Sequence, residues 1–172
     1  MANKKITDLT ELTKAASDDY LEIVDTSANA SKKITRENLI GFAGTWQSYT
    51  VSWTAATTNP SIGNGTLAGR YVQIGKTVIG VIKLVMGSTT TYGSGAWSFS
   101  LPYAVKNSYS LGQWASYGAG AVYNTGHSIL YPNTGVVSSF IRDSGVSYLN
   151  ATTPHTWASG SELHFFATYE TA

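Results

Sequence analysis

The chain has 172 residues, of which 12% are charged, 42% hydrophobic and 12% aromatic, and its net charge is +1. This profile excludes a disordered chain, a coiled coil and a strongly basic nucleic-acid-binding protein. The absence of cysteine excludes a disulfide scaffold, a cysteine nucleophile and a zinc site with thiolate ligands. We expect one ordinary folded domain with room for a small additional module.

The first residues contain no apolar targeting segment, so we expect no signal peptide. The longest apolar run, Thr77–Met86, is about half of a membrane span and includes Lys83. We therefore expect a soluble protein that does not insert into membranes.

Charged and aromatic residues are distributed unevenly along the chain. Residues 1–44 hold thirteen of the 21 charged residues but only two of the 21 aromatic ones. A shift this sharp marks a module boundary, and the glycine-containing segment 41–44 lies at it. The sequence thus predicts two modules, residues 1–44 and residues 45–172.

The pattern of the first module predicts a β-hairpin followed by a short helix. Tyr20–Asp25 is typical of a strand and Ser31–Ile34 of a short return strand. Thr35 then suits the N-cap of a helix over Arg36–Phe42. So few large apolar residues cannot stabilise a unit alone, which indicates a docking module. The alternative is an extra hairpin and helix packed on the main domain.

The second module predicts an all-β fold, a sandwich of the jelly-roll kind, with no long helix. Gly75-Lys76 suits a two-residue hairpin turn. Thr77–Met86 is apolar on both faces, which places it centrally in a sheet or at a subunit contact. The predicted strands, in chain order, are Trp46–Ala55, Tyr71–Ile74, Thr77–Met86, Trp97–Leu101, Tyr109–Tyr117, His127–Tyr131, Val136–Arg142 and Leu163–Tyr169.

The polar strand positions of this module are Ser, Thr, Asn, Gln and Tyr, with few Lys or Glu. Such side chains lose less rotamer entropy on contact, and interfaces are depleted in Lys, Glu and Asp. This composition favours extensive contacts with further copies of the chain or with a partner. The alternative is a stable sandwich with a neutral surface.

Motifs for catalysis, cofactors and metals are incomplete. Gly75-Lys76-Thr77 ends like a phosphate loop, but Arg70 stands where its first glycine belongs. His127, His155 and His164 lack metal-ligand spacing, although three distant histidines could converge at a trimer axis. Asp143 and Glu162 could form a glycosidase pair only if the fold brings them together. We expect no cofactor, no metal, no enzyme activity and no nucleic-acid partner.

Carbohydrate binding has a better candidate, since sugars stack on aromatic rings and bond to amide and hydroxyl groups. An aromatic-rich stretch among glycines suggests a glycan platform. Its candidate residues are Trp114, Tyr117, Tyr123, Asn124, His127 and Tyr131. The alternative is that these aromatic residues belong to the core or to an interface.

Two stretches resemble virion proteins of tailed bacteriophages, and together they cover roughly residues 6–102. The first resembles the opening module of tail and head fibres; it comprises Ile6–Leu9, Asp18–Ser27, Lys32–Thr35 and Asn38-Leu39. The second is similar to a β-module of phage structural proteins; it comprises Trp53–Ala55, Asn59–Leu67, Gly69–Tyr71, Ile74–Lys76, Gly87–Thr90, Gly93–Gly95 and Trp97–Pro102. The remaining C-terminal seventy residues resemble no family that we can name.

The resemblance implies a virion component at the particle surface. The partners it implies are capsid or tail proteins and further copies of the chain in a homotrimer. The lack of a shaft between the modules favours a capsid decoration protein or head fibre over a tail fibre. A tail fibre or receptor-binding module that recognises host glycan is the alternative. The expected anchor contacts are Leu21, Ile23, Val24, Lys32, Lys33, Ile34 and Leu39.

Overall fold

The computed structural model describes residues 20–25, 27, 30–35, 44–106, 110–118, 122–131, 136–142 and 145–171. The chain divides into two compact units, Met1–Gly44 and Thr45–Ala172. Each unit is therefore treated by itself below.

The described part of the first unit is an antiparallel hairpin. Strand β1 (Tyr20–Asp25) pairs with β2 (Ala30–Thr35), in a register that sets Leu21 opposite Ile34 and Glu22 opposite Lys33. Both predicted strands are confirmed. The helix predicted over residues 36–42 lies outside the described residues.

The second unit is a ten-stranded antiparallel sheet. The strands, in chain order, are β3 (Gln47–Tyr49), β4 (Trp53–Ala55), β5 (Thr66–Ile74), β6 (Thr77–Val85), β7 (Trp97–Ser100), β8 (Ser110–Gly118), β9 (Val122–Leu130), β10 (Val136–Arg142), β11 (Gly145–Tyr148) and β12 (Glu162–Glu170). The order across the sheet is β3-β5-β6-β12-β8-β9-β10-β7-β4, and β11 pairs with β10 beside this path.

The sheet curls back on itself. Strands β3 and β4 lie at opposite ends of the strand order, yet only residues 50–52 separate them in the chain. The Cα atoms of Tyr49 and Trp53 are therefore within about 14 Å of each other. Hydrogen bonds close the gap, because Ser100 N donates to Ser52 O at 2.9 Å and Tyr49 OH donates to Ser100 O at 3.2 Å. One face of the sheet thus becomes the inside of the domain.

Aromatic side chains from many strands fill this interior. Trp97 packs edge-on against Trp53 with ring centroids 4.8 Å apart, and the ring centroids of Trp157 and Trp97 are 5.1 Å apart. Leu84, Trp114 and Phe165 continue the core across the middle of the sheet. Edge-to-face ring pairs of this kind stabilise a core beyond the apolar area they bury.

Several strand predictions are confirmed and several need correction. Gly75 has φ of +58° in the turn between β5 and β6, a conformation that suits glycine, and β6 lies centrally, between β5 and β12. The single strand predicted over 46–55 is wrong, because the chain leaves one sheet edge after Tyr49 and joins the other at Trp53. Strand β9 begins at Val122, five residues before the predicted start, and β11 has no predicted counterpart.

The described residues contain no helix, and the fold is all-β and consistent with a β-sandwich. The jelly-roll connectivity stays a prediction. Among these residues there is no helix long and apolar enough to cross a membrane.

Candidate functional site

Five neighbouring strands present an outer face that points away from the core. Because side chains alternate along a strand, residues that face each other across the strands form transverse rows on this face. One row is Arg70, Val81, Phe166, Gln113 and His127, running from β5 through β6, β12 and β8 to β9. The next row is Ala68, Lys83, His164, Ala115 and Thr125.

These two rows line a groove with a volume of about 690 Å³. Phe166 lies in it with 46% of its surface exposed, which is unusual for a phenyl ring in the middle of a sheet. Val81 and Ala115 extend the apolar floor on either side of Phe166. The groove therefore combines an apolar floor with cationic, imidazole and amide groups along its length.

An ion-pair network lies at one side of the groove. Glu162 Oε2 is 3.1 Å from Lys83 Nζ and 2.7 Å from His164 Nε2. The hydrogen bond from His164, and next the one from Lys83, lowers the pKa of the Glu162 carboxyl below its usual value. At another position of the groove, the Arg70 guanidinium lies 5.4 Å from the centre of the Trp46 ring, a cation–π contact.

The structure divides the predicted glycan platform between two faces of the sheet. Trp114 is 3% exposed, and its indole Nε1 donates to the carbonyl of His127 at 3.1 Å. Asn124 shares the inner face with Trp114 and is half-buried. Tyr117, Tyr123 and His127 lie on the outer face, and the two tyrosine rings are 4.9 Å apart. The sixth residue, Tyr131, is half-buried just after β9.

Sequence reasoning missed most of the groove. Arg70, Lys83, Gln113 and Phe166 are not among the sequence-predicted binding residues, and the sequence suggests His164 only as a possible metal ligand. Their alternation with buried residues is visible in the sequence, but the register that joins β6, β12 and β8 is not. The sequence does contain a signal that the predicted glycan platform is divided. Trp114 and Tyr117 are an odd number of positions apart in one predicted strand, so their side chains lie on opposite faces of the sheet.

The anchor candidates lie mostly in the hairpin of the first unit. Leu21 is 53% exposed, opposite the half-buried Ile34. Lys33 Nζ lies 4.2 Å from the ring centre of Tyr20, and Lys32 pairs in register with Ile23. Val24 is in β1 opposite Ser31, and Leu39 lies outside the described residues.

The described residues bring together no group of three His, Cys, Asp or Glu side chains that could hold a metal ion. His127 and His164 both border the groove, whereas His155 packs against Trp157 with ring centroids 4.3 Å apart. Of the possible glycosidase pair, Asp143 lies outside the described residues, and Glu162 is engaged by Lys83 and His164.

Comparison with curated proteins finds a partial relative. Over 126 residues, 71% of this chain, the sequence is 29% identical to the Mu-like prophage FluMu defective tail fiber protein of Haemophilus influenzae. The chain resembles a phage tail fibre protein. The match covers 20% of that protein, so the chain spans about a fifth of the length of this curated relative. No family model matches the sequence, and no solved structure matches it.

Proposed function

We propose that this protein is a structural component of a phage tail fibre or a similar virion appendage, exposed at the particle surface. The observation that carries the proposal is the 29% identity to a prophage tail fibre protein over 71% of the chain. The composition supports it, because a β-domain poor in Lys and Glu suits repeated protein contacts. The similarity favours a tail position over the capsid-decoration or head-fibre position expected from the sequence.

In this proposal the first unit attaches the protein to the particle and the β-domain is displayed. Leu21 and Tyr20 are nearly equally exposed, at 53% and 55%, and adjacent strand residues lie on opposite faces of the hairpin. Leu21→Ser removes the apolar face that Leu21 shares with Ile34, so we expect less of this variant in purified virions. Tyr20→Ser is the matched control on the other face.

Immunogold labelling of purified virions tests the position directly. Label along the tail supports the proposal, label on the capsid supports a head fibre or decoration protein, and label on neither contradicts a virion role. Normal incorporation of Leu21→Ser would show that this face of the hairpin does not attach the protein.

We further propose a homotrimer, supported by the neutral Ser, Thr and Tyr strand positions of the β-domain. Light scattering of the purified protein should give about three times 18.4 kDa, unchanged on dilution. A persistent monomer would contradict this assembly.

We propose that the protein acts by binding and not by catalysis. A glycosidase general acid needs a raised carboxyl pKa, whereas hydrogen bonds from His164 and Lys83 lower the pKa of Glu162. A reducing-end assay on acidic and neutral polysaccharides should show no hydrolysis. Hydrolysis that Glu162→Gln abolishes would contradict the proposal.

A further inference from the structure

The groove on the outer face, called the trough below, runs across five strands. Its two rows run from β5 to β9, and neighbouring strands lie about 4.8 Å apart, so each row is about 19 Å long. The rows are separated by two residues along each strand, about 7 Å. A trough of this length and width suits a linear chain better than a compact small molecule.

The lining of the trough consists of hydrogen-bond donors around an apolar strip. Arg70 and Lys83 bring positive charge, and the Lys83 ammonium, which is half exposed, also lies 3.1 Å from the Glu162 carboxylate. Gln113, Thr125 and the imidazoles of His127 and His164 bring amide, hydroxyl and ring nitrogen groups. Among the described residues, those that line the trough carry no carboxylate, and the Glu162 carboxylate at its side is held by Lys83 and His164. An occupant that fits this lining is rich in acceptors and negatively charged, with apolar ring faces that can lie on Phe166.

A second copy of the β-domain does not match this lining. Two copies placed face to face would bring the Arg70 guanidinium of each domain onto a surface that carries the same cation, and like charges disfavour such a contact. The carboxylates described in this domain are Glu162 and Glu170, and each already has a cationic partner, Lys83 with His164 and Lys106 respectively. A second domain thus offers no unpaired described carboxylate to the trough.

We propose that this trough binds an anionic polysaccharide chain, with Arg70 and Lys83 on its acidic groups and Phe166 against a sugar ring. The inference rests on the proposed function, since an appendage displayed on a particle meets acidic glycans on cell surfaces. Charged hydrogen bonds to Arg and Lys supply much of the affinity, and the sugar face on Phe166 supplies the rest.

The test is a titration of the purified full-length protein with tetragalacturonate, which carries one carboxylate per sugar, and with its methyl ester as the neutral counterpart. Backbone amide shifts in NMR spectra report both the affinity and the location of binding. A heparin tetrasaccharide extends the test to sulfate, and a single-stranded oligonucleotide serves as a different polyanion.

Matched variants locate the site. Lys83 and Lys106 each form one exposed ion pair with a glutamate, so Lys83→Gln tests the trough and Lys106→Gln is its control. Phe166→Ala and Tyr123→Ala likewise remove exposed rings inside and outside the trough. We expect Lys83→Gln and Phe166→Ala each to weaken binding at least about fivefold, the two controls to change it less than about twofold, and added salt to weaken it.

The inference is overturned if neither acidic oligosaccharide shifts the trough amides at millimolar concentration, or if the methyl ester binds equally well. It is also overturned if Tyr123→Ala weakens binding while Phe166→Ala does not, which would place the site on the Tyr117–Tyr123 pair. Stronger binding of the oligonucleotide than of either saccharide would indicate a nucleic-acid surface instead. Virions with Lys83→Gln should incorporate the protein normally, so a binding failure and a failure of the virion role are distinguishable.

Discussion

Replacing Trp114 by alanine should strongly lower the free energy of unfolding of the β-domain, whatever the protein binds. The side chain is 3% exposed and lies in the core, and its Nε1 donates a hydrogen bond at 3.1 Å. Trp→Ala substitutions in cores cost about 3–5 kcal/mol, from lost burial and from the cavity left behind. At about 3–5 °C per kcal/mol for a domain of intermediate size, the melting temperature should fall by roughly 10–20 °C.

Urea unfolding followed by tryptophan fluorescence measures this loss. All five tryptophans lie between residues 46 and 157, so the signal reports on the second unit alone, and four remain in the variant. Tyr123→Ala is the control, because Tyr123 is 73% exposed and should change the free energy of unfolding by less than about 0.5 kcal/mol. Trp114→Phe should lose roughly half as much as Trp114→Ala, since the ring volume is partly kept.

A loss below about 1 kcal/mol in Trp114→Ala would refute the placement of this residue in the core. Any binding experiment that uses Trp114→Ala to test the glycan platform needs this stability measurement as well. Reduced glycan binding by Trp114→Ala, without a stability measurement, would not show that the indole touches a sugar.

Three further predictions concern backbone packing and protonation. A Cβ on Gly69 would lie 2.5 Å from Val51 Cγ2, whereas a Cβ on Gly80 would meet nothing within 4 Å. Gly69→Ala should therefore lower the free energy of unfolding by about 1–3 kcal/mol, and Gly80→Ala should raise it by about 0.5 kcal/mol. Equal losses of stability in the two variants would argue against this packing. Burial raises the pKa of Tyr169 from 10.0 to about 12. The stability that its neutral form contributes is therefore complete below pH 10 and is lost as pH rises through about 12. Absorbance at about 295 nm should show that this tyrosine ionises late, and ionisation of every tyrosine near pH 10 in the folded protein would contradict the prediction. Hydrogen bonds from His164 and Lys83 lower the pKa of Glu162, so its ion pairs stabilise the fold fully above pH 4.5 and cease to do so as pH falls through the folded pKa. Glu162→Gln should therefore lose at most about 1 kcal/mol of unfolding free energy at pH 7, and the loss should shrink as the solution is acidified below pH 4.5. A difference that stays constant with pH would argue against the linkage.

Local patterns in the sequence were enough for much of the fold. The apolar run of β6, the hairpin turn at Gly75 and the strands near Trp97 and Leu163 follow from alternation and turn residues over a few positions. The composition change near residue 44 is equally local. These features are readable because strand periodicity and turn chemistry act between neighbours in the chain.

The rest was decided by tertiary structure. The regular alternation over 46–55 predicts one strand, but closure of the sheet divides it between two edges, since pairing with β5 and with β7 satisfies more backbone groups. The groove depends on the register between β6, β12 and β8, strands far apart in sequence, and no local pattern encodes that register. Alternation alone separates Trp114 from Tyr117, but only the closed sheet determines which of the two faces the core.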